Sequence, residues 1–356
     1  MKNCSLITAS VLVLLASVPR RAPAQDLTPT IDRPASILFF PYLIADASRD
    51  TLIQITNTSN NPQSAQCFYL LQAASDLLPV LVQSHFQLFL RAQQPTHWIL
   101  SKGREVDSSG PGCVAPSSDL DGAGCDPGAI APQPNTRGEM VCIMTDDTGA
   151  PVAGNKLIGM VTVADSDGVA STQYRAIGVP GNPSAATGNP LLLDGQMYGK
   201  CPDTWVLNHL ADGVDDPSAA IQTSVLTDFI VVPCRNDFAG VARPNLVVQL
   251  LIFNELDQRF SSSVALMTSL TWAPFNLSQR GLQLTKQVLG TRSLRTQMRA
   301  LAQLGGSTGV AVVAEEVHTA GTGPQPVVTY ATADVHHTAV SNGSGDTIVL
   351  PAQAVR

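Results

Sequence analysis

Thr51-Leu52-Ile53-Gln54-Ile55-Thr56, followed at once by Asn57-Thr58-Ser59-Asn60-Asn61-Pro62, sets the pattern from which the fold is read. Ile53 and Ile55 fall on one side of an extended chain and Gln54 and Thr56 on the other, the alternation of a half-buried strand. The polar run behind it carries Asn, Ser and Pro, whose side chains and restricted backbone favour a turn. The unit recurs at 36–43, 64–71, 85–91, 96–101, 139–145, 156–164, 171–178 and 221–233. A second series follows Pro244, at 245–254, 259–272, 281–290, 294–304, 309–317, 327–338 and 346–351. Asp165-Ser166-Asp167-Gly168 fits a hairpin turn. Leu294, Met298, Leu301 and Leu304 alone offer a competing 3.6-residue pattern, so that stretch reads as a strand or a short helix.

The cysteines divide this series. Cys4 lies in an N-terminal stretch built of Lys2, an apolar run from Leu6 to Val18 and Ala22-Pro23-Ala24, the plan of a secretory signal over 1–24. The other six, Cys67, Cys113, Cys125, Cys142, Cys201 and Cys234, all precede residue 235. An even set of thiols behind an export signal reads as a disulfide framework, and proximity suggests Cys67–Cys142, Cys113–Cys125 and Cys201–Cys234. The expected fold is therefore all-β with two immunoglobulin-like β-sandwich domains. The first, 25–238, is disulfide-stapled and carries a long Gly/Pro/Asp-rich insertion at 102–138; the second, 239–356, has no cysteine.

Composition removes several function classes. The net charge is −7, and loss of Lys2, Arg20 and Arg21 with the leader makes it more negative still. Such a chain without a Lys/Arg cluster lacks the electrostatic footprint of a nucleic-acid binder. No apolar run after the leader is long enough to span a membrane as a helix, which leaves a secreted or periplasmic protein. A transmembrane β-barrel is a weaker fit, since repeated aromatic girdles are missing and aromatic residues are 5% of the chain.

Several motifs suggest chemistry, and each also has a plainer reading. Gly305-Gly306-Ser307-Thr308-Gly309 matches G-x-S-x-G, with Asp334 and His336 or His337 behind it, but the β-branched run after Ser307 is no nucleophile-elbow helix. Asp119, Asp121 and Asp126 could ligate calcium, although the loop lacks the bidentate Glu of an EF-hand. Glu315, Glu316, His318, His336 and His337 suggest a metal. A 309–317/327–338 hairpin whose paired numbers sum to about 645 would hold the two histidine groups roughly 30 Å apart, so one ion could not use both. Trp98, Trp205 and Trp272 could be sugar platforms but suit core packing equally. Glu255 and Asp257 could be paired carboxylates on one strand, or part of an ion-pair turn with Arg259. Asn57, Asn276 and Asn342 match the glycosylation acceptor and also ordinary turns. No cofactor motif is present: no CxxC pair and no CxxCH occurs.

Two segments, Phe40-Pro41-Tyr42 with Asp50 to Ser59, and Val248 to Ser261, resemble blocks of a functionally uncharacterised family of secreted bacterial β-rich proteins. The resemblance implies export and a β fold and brings no activity. The functional expectation is a non-catalytic binding or structural protein of the bacterial envelope or extracellular space, meeting a protein or glycan surface through loops and edge strands. The alternative is a secreted hydrolase with a site between the two β domains.

Overall fold

The computed structural model describes residues 26–73, 81–104, 127–167, 170–185, 188–215, 223–240, 246–266, 273–276, 289–301, 307–320, 327–333, 336–340 and 345–351. The stretch 1–24 expected to be a leader, Cys113, Cys125, Asp119, Asp121, Asp126, Trp272, Asp334 and Asn342 lie outside them. In chain order the strands begin β1 (Ile37–Ala45), β2 (Arg49–Asn57), β3 (Gln63–Ala73), β4 (Leu81–Leu90), β5 (Pro95–Ile99), β6 (Thr136–Thr145) and β7 (Leu157–Asp165). They continue with β8 (Ser171–Arg175), β9 (Ile177–Val179), β10 (Leu191–Leu193), β11 (Pro202–Leu210), β12 (Thr223–Pro233), β13 (Asn236–Asp237) and β14 (Leu246–Asn254). The last are β15 (Arg259–Leu266), β16 (Ala273–Asn276), β17 (Ser293–Leu301), β18 (Val310–Ala320), β19 (Val327–Ala333), β20 (His336–Val340) and β21 (Asp346–Val349).

These strands form five small sheets: β4-β3-β6-β1-β9, β5-β2-β7-β8, β15-β14-β17-β11-β20, β16-β12-β18-β19 and β10-β21-β13. The arrangement is all-β and propeller-like, with five blades, and corrects the expectation of two immunoglobulin-like sandwiches. Its blades are not consecutive stretches of chain. β11 and β12 precede residue 238 yet pair with β17, β20, β16 and β18, and β10 pairs with β21. The sheets therefore run across the expected boundary at 238/239.

Burial explains the layering. In β1, Ile-Leu-Phe-Phe-Pro-Tyr-Leu-Ile-Ala, every residue is buried, and β6 and β3 are nearly as apolar. A strand with no polar face needs protein on both sides. Leu38, Phe40, Tyr69 and Met140 pack with Ile53, Ile55, Trp98 and Val161 of the second sheet. Ile37, Phe39, Phe68 and Val141, on the opposite face, join a larger core that includes Trp205, Phe229, Leu250, Met298, Val312 and Ile348. By contrast β2, β14 and β17 alternate buried with more exposed positions, so each lends one face to a core. The alternation settles 293–301 as strand.

Two disulfides formed as expected, Cys67–Cys142 between directly opposed residues of β3 and β6, and Cys201–Cys234 before β11 and after β12. They place the protein in an oxidising compartment, extracellular or periplasmic. Between the first, second and fourth sheets sits a polar latch. Tyr42 Oη donates to the Glu315 carboxylate at 2.9 Å, and Arg49 Nη1 donates to Tyr42 Oη at 2.7 Å and to Glu315 at 3.3 Å. Burial raises the Glu315 pKa, while Arg49 and Tyr42 pull it back down. Arg49→Met should lower the unfolding free energy by about 3 kcal/mol in denaturant titrations, the cost of a buried carboxylate stripped of its cation. Glu315→Gln should cost less, because its amide oxygen still accepts from Tyr42; equal small losses would mean the latch does not bind the sheets.

Candidate binding face

The third sheet buries one face and opens the other. Leu246, Val248, Leu250 and Ile252 of β14 and Leu294, Thr296 and Met298 of β17 point into the larger core. The intervening residues point outward. Pairing aligns Arg259, Phe253, Arg295 and Asn208 in one row across β15, β14, β17 and β11. With neighbouring strands about 4.8 Å apart, Arg259 and Arg295 flank Phe253 at roughly 10 Å from each other. In another row Arg299 lies between Gln249 and Thr204, the latter buried. Arg259, Arg295 and Arg299 are exposed, and none has a side-chain hydrogen bond or ion pair among the described residues. An acidic chain thus carries a sheet face with three guanidinium groups that no described residue neutralises.

At the end of this face lies a groove of about 430 Å³, lined by Asn208, Phe253, Glu255, Asp257, Ser293 and Arg295. Its wall is the β14–β15 turn. Asn254 Oδ1 accepts from the backbone N–H of Leu256 at 3.0 Å and of Gln258 at 2.8 Å, the side-chain mimicry that makes Asn a turn residue. Asp257 has a φ of 59°, a left-handed conformation that Asp tolerates. Glu255 accepts from Thr291 Oγ1 at 2.6 Å, and this bond, with the Arg292 N–H, lowers its pKa. Glu255 and Asp257 therefore stand on a turn rather than on one strand, and Arg259 is not their ion-pair partner.

The other sequence candidates scatter. Ser307 is fully buried, its Oγ 2.6 Å from the Gly309 carbonyl and 3.1 Å from Asp346 Oδ1. Its single proton is held by those acceptors, so it is not presented as a nucleophile. The β18–β19 hairpin forms with paired numbers summing to 647, but His336 and His337 lie on β20, paired to β11. His318 and that histidine pair thus belong to different sheets, a correction to the single-ladder reading. His318 Nε2 lies 3.6 Å from Glu316, and among the described residues no three His, Cys, Asp or Glu side chains converge.

Trp98 and Trp205 are buried, donating from Nε1 to Tyr69 Oη at 2.6 Å and to the Val310 carbonyl at 2.9 Å, which makes them core anchors. Asn57 is buried, with Nδ2 donating to the carbonyls of Asn61 and Arg91, a turn role. A scan of family models and a search of curated proteins found no match to this chain.

Sequence reading passed over His209. It lies on β11 next to Asn208 but faces inward, 6% exposed, edge-on to Phe229. Nδ1 lies 2.9 Å from the Leu210 carbonyl and Nε2 2.7 Å from Thr296 Oγ1. A neutral ring serves both, donating from Nδ1 and accepting at Nε2. Burial lowers its pKa to about 4, against a partial opposing pull from Leu210. The unfolded chain then takes up a proton near pH 6.5 that the folded chain refuses until about pH 4. Stability contributed by His209 is full above pH 6.5 and should fall by about 3 kcal/mol on acidification to pH 4. Comparing denaturant midpoints of wild type and His209→Phe across this range checks it: the variant should show a flatter pH dependence.

Proposed function

We propose that this protein is an exported, non-catalytic binding protein of the bacterial envelope or extracellular space, and that it engages its partner through the outward face of the third sheet. The observation that carries this reading is the set of arginines with no ion-pair partner among the described residues, Arg259, Arg295 and Arg299, around half-buried Phe253. A planar guanidinium donates two parallel hydrogen bonds to a carboxylate, sulfate or phosphate, and spaced arginines read a repeated anionic group. Phe253 adds an apolar surface between two of them. The rest of the acidic chain repels the same partner, so approach is steered to this face.

A polyuronate tests the proposal, since it presents a carboxylate on every sugar. Titration calorimetry at low salt should detect binding that weakens as ionic strength rises. The triple variant Arg259→Glu, Arg295→Glu, Arg299→Glu should bind at least tenfold more weakly while melting normally. Equal binding by wild type and variant, or no wild-type binding to any polyanion tried, contradicts the assignment.

A further inference from the structure

The groove at the end of the arginine face carries both signs of charge. Arg295 lines it from β17, and Glu255 and Asp257 line it from the β14–β15 turn; Asn208, Phe253 and Ser293 line it as well. The three charged residues are exposed, yet neither carboxylate forms an ion pair with Arg295 or with any other described residue. Opposite charges on side chains free to move in one small groove attract and close on each other. Here the fold holds them apart. Glu255 Oε2 accepts from Thr291 Oγ1 at 2.6 Å and from the Arg292 N–H at 3.4 Å. Asn254 fixes the turn through its two backbone contacts and through Nδ2, which donates to Gln258 Oε1 at 2.8 Å. Arg295 stands on a strand paired on both sides, to β14 and β11.

This lining selects among anionic partners. At about 430 Å³ the groove falls within the roughly 300–1,000 Å³ of small-molecule sites. A polyphosphate or an acidic side chain brings acceptors alone, so it satisfies Arg295 but meets like charge on Glu255 and Asp257. A uronate unit brings a carboxylate and also hydroxyl donors, which ionised carboxylates accept in charge-assisted hydrogen bonds. Asn208 and Ser293 each both donate and accept, as the remaining hydroxyls require. Phe253 offers an apolar surface to the C–H face of a sugar ring.

We infer, building on the arginine-face reading, that the groove seats one uronate unit of an acidic polysaccharide, its carboxylate on Arg295 and its hydroxyls on Glu255 and Asp257. Arg299 lies four residues along the same side of β17, roughly 13 Å away, and receives the carboxylate of a unit further along the polymer. The arginines supply attraction to any polyanion; the two turn carboxylates restrict that attraction to a polyanion that also carries hydroxyls.

Titration calorimetry of the full chain at low salt, with trigalacturonate and separately with tripolyphosphate, tests the site. The informative variant is Glu255→Gln combined with Asp257→Asn. It keeps the shape of the turn, since Asn also tolerates the left-handed backbone at 257, where φ is 59°. Removing two negative charges makes the face more basic, so a ligand held by charge alone binds the variant more tightly. Trigalacturonate should instead bind at least fivefold more weakly, having lost two charge-assisted hydrogen bonds, while tripolyphosphate binds as tightly as before or tighter. Asn208→Ala, on a different strand, should weaken trigalacturonate about threefold and covers any disturbance of the turn by the double variant. Trigalacturonate binding that is unchanged or tighter in the double variant overturns the uronate site and leaves the arginine face standing. No binding of either ligand to the wild-type chain removes both.

Discussion

The whole structure depends on burying β1 on both faces. Ile37 and Phe39 are inaccessible, and so are Leu38, Phe40, Tyr42 and Leu43, which pack into the opposite core. One sheet cannot cover both faces, so the second sheet must lie on one side and strands from the far end of the chain on the other. At about 25 cal/mol per Å² of apolar surface, each large side chain contributes roughly 1.5–3 kcal/mol, which makes this layering the dominant favourable term. The later strands complete a core that begins at residue 37 and ends at Leu350.

Polar groups mark the seams where the sheets meet. Tyr42, Arg49 and Glu315 form one; Tyr174 forms another, its Oη donating to the Tyr42 carbonyl at 2.7 Å and accepting from the Tyr42 N–H at 3.0 Å. Asn189 closes the chain end in a similar way, donating from Nδ2 to the Leu350 carbonyl and accepting the Leu350 N–H. A side-chain amide there does what a neighbouring strand would do. Apolar packing alone is tolerant of sliding, whereas a buried donor and acceptor must meet in one register. These seams fix how the sheets sit against one another.

Strands were legible because alternation is local. Ile53 and Ile55 face inward as the pattern requires, and the apolar run at 37–45 is a strand. Its double-sided burial was also written there, in the absence of a polar face, but nothing nearby named the sheets that cover it. Pairings such as β10 with β21 join residues more than 150 apart, and no local periodicity encodes a partner at that distance. The arginine face was half legible: Arg295, Gln297 and Arg299 share a period of two once 293–301 is a strand. The competing spacing of Leu294, Met298 and Leu301 obscured it. The Ser307 motif misled for a related reason, since Asp346, its structural partner, lies 39 residues away. Cys67–Cys142 is closed by opposed residues of β3 and β6, whereas Cys201–Cys234 links the start of β11 to the end of β12, strands of different sheets.

Because the sheets and the larger core both cross residue 238, the fragment 25–238 should not fold on its own. That fragment keeps β11 and β12 but removes β14, β17 and β18, which cover them. Expressed with its disulfides formed, it should lack the dispersed amide spectrum of a packed protein in two-dimensional NMR. Adding the separate 239–356 chain should restore it. A well-dispersed spectrum from the fragment alone would contradict a core shared across that boundary.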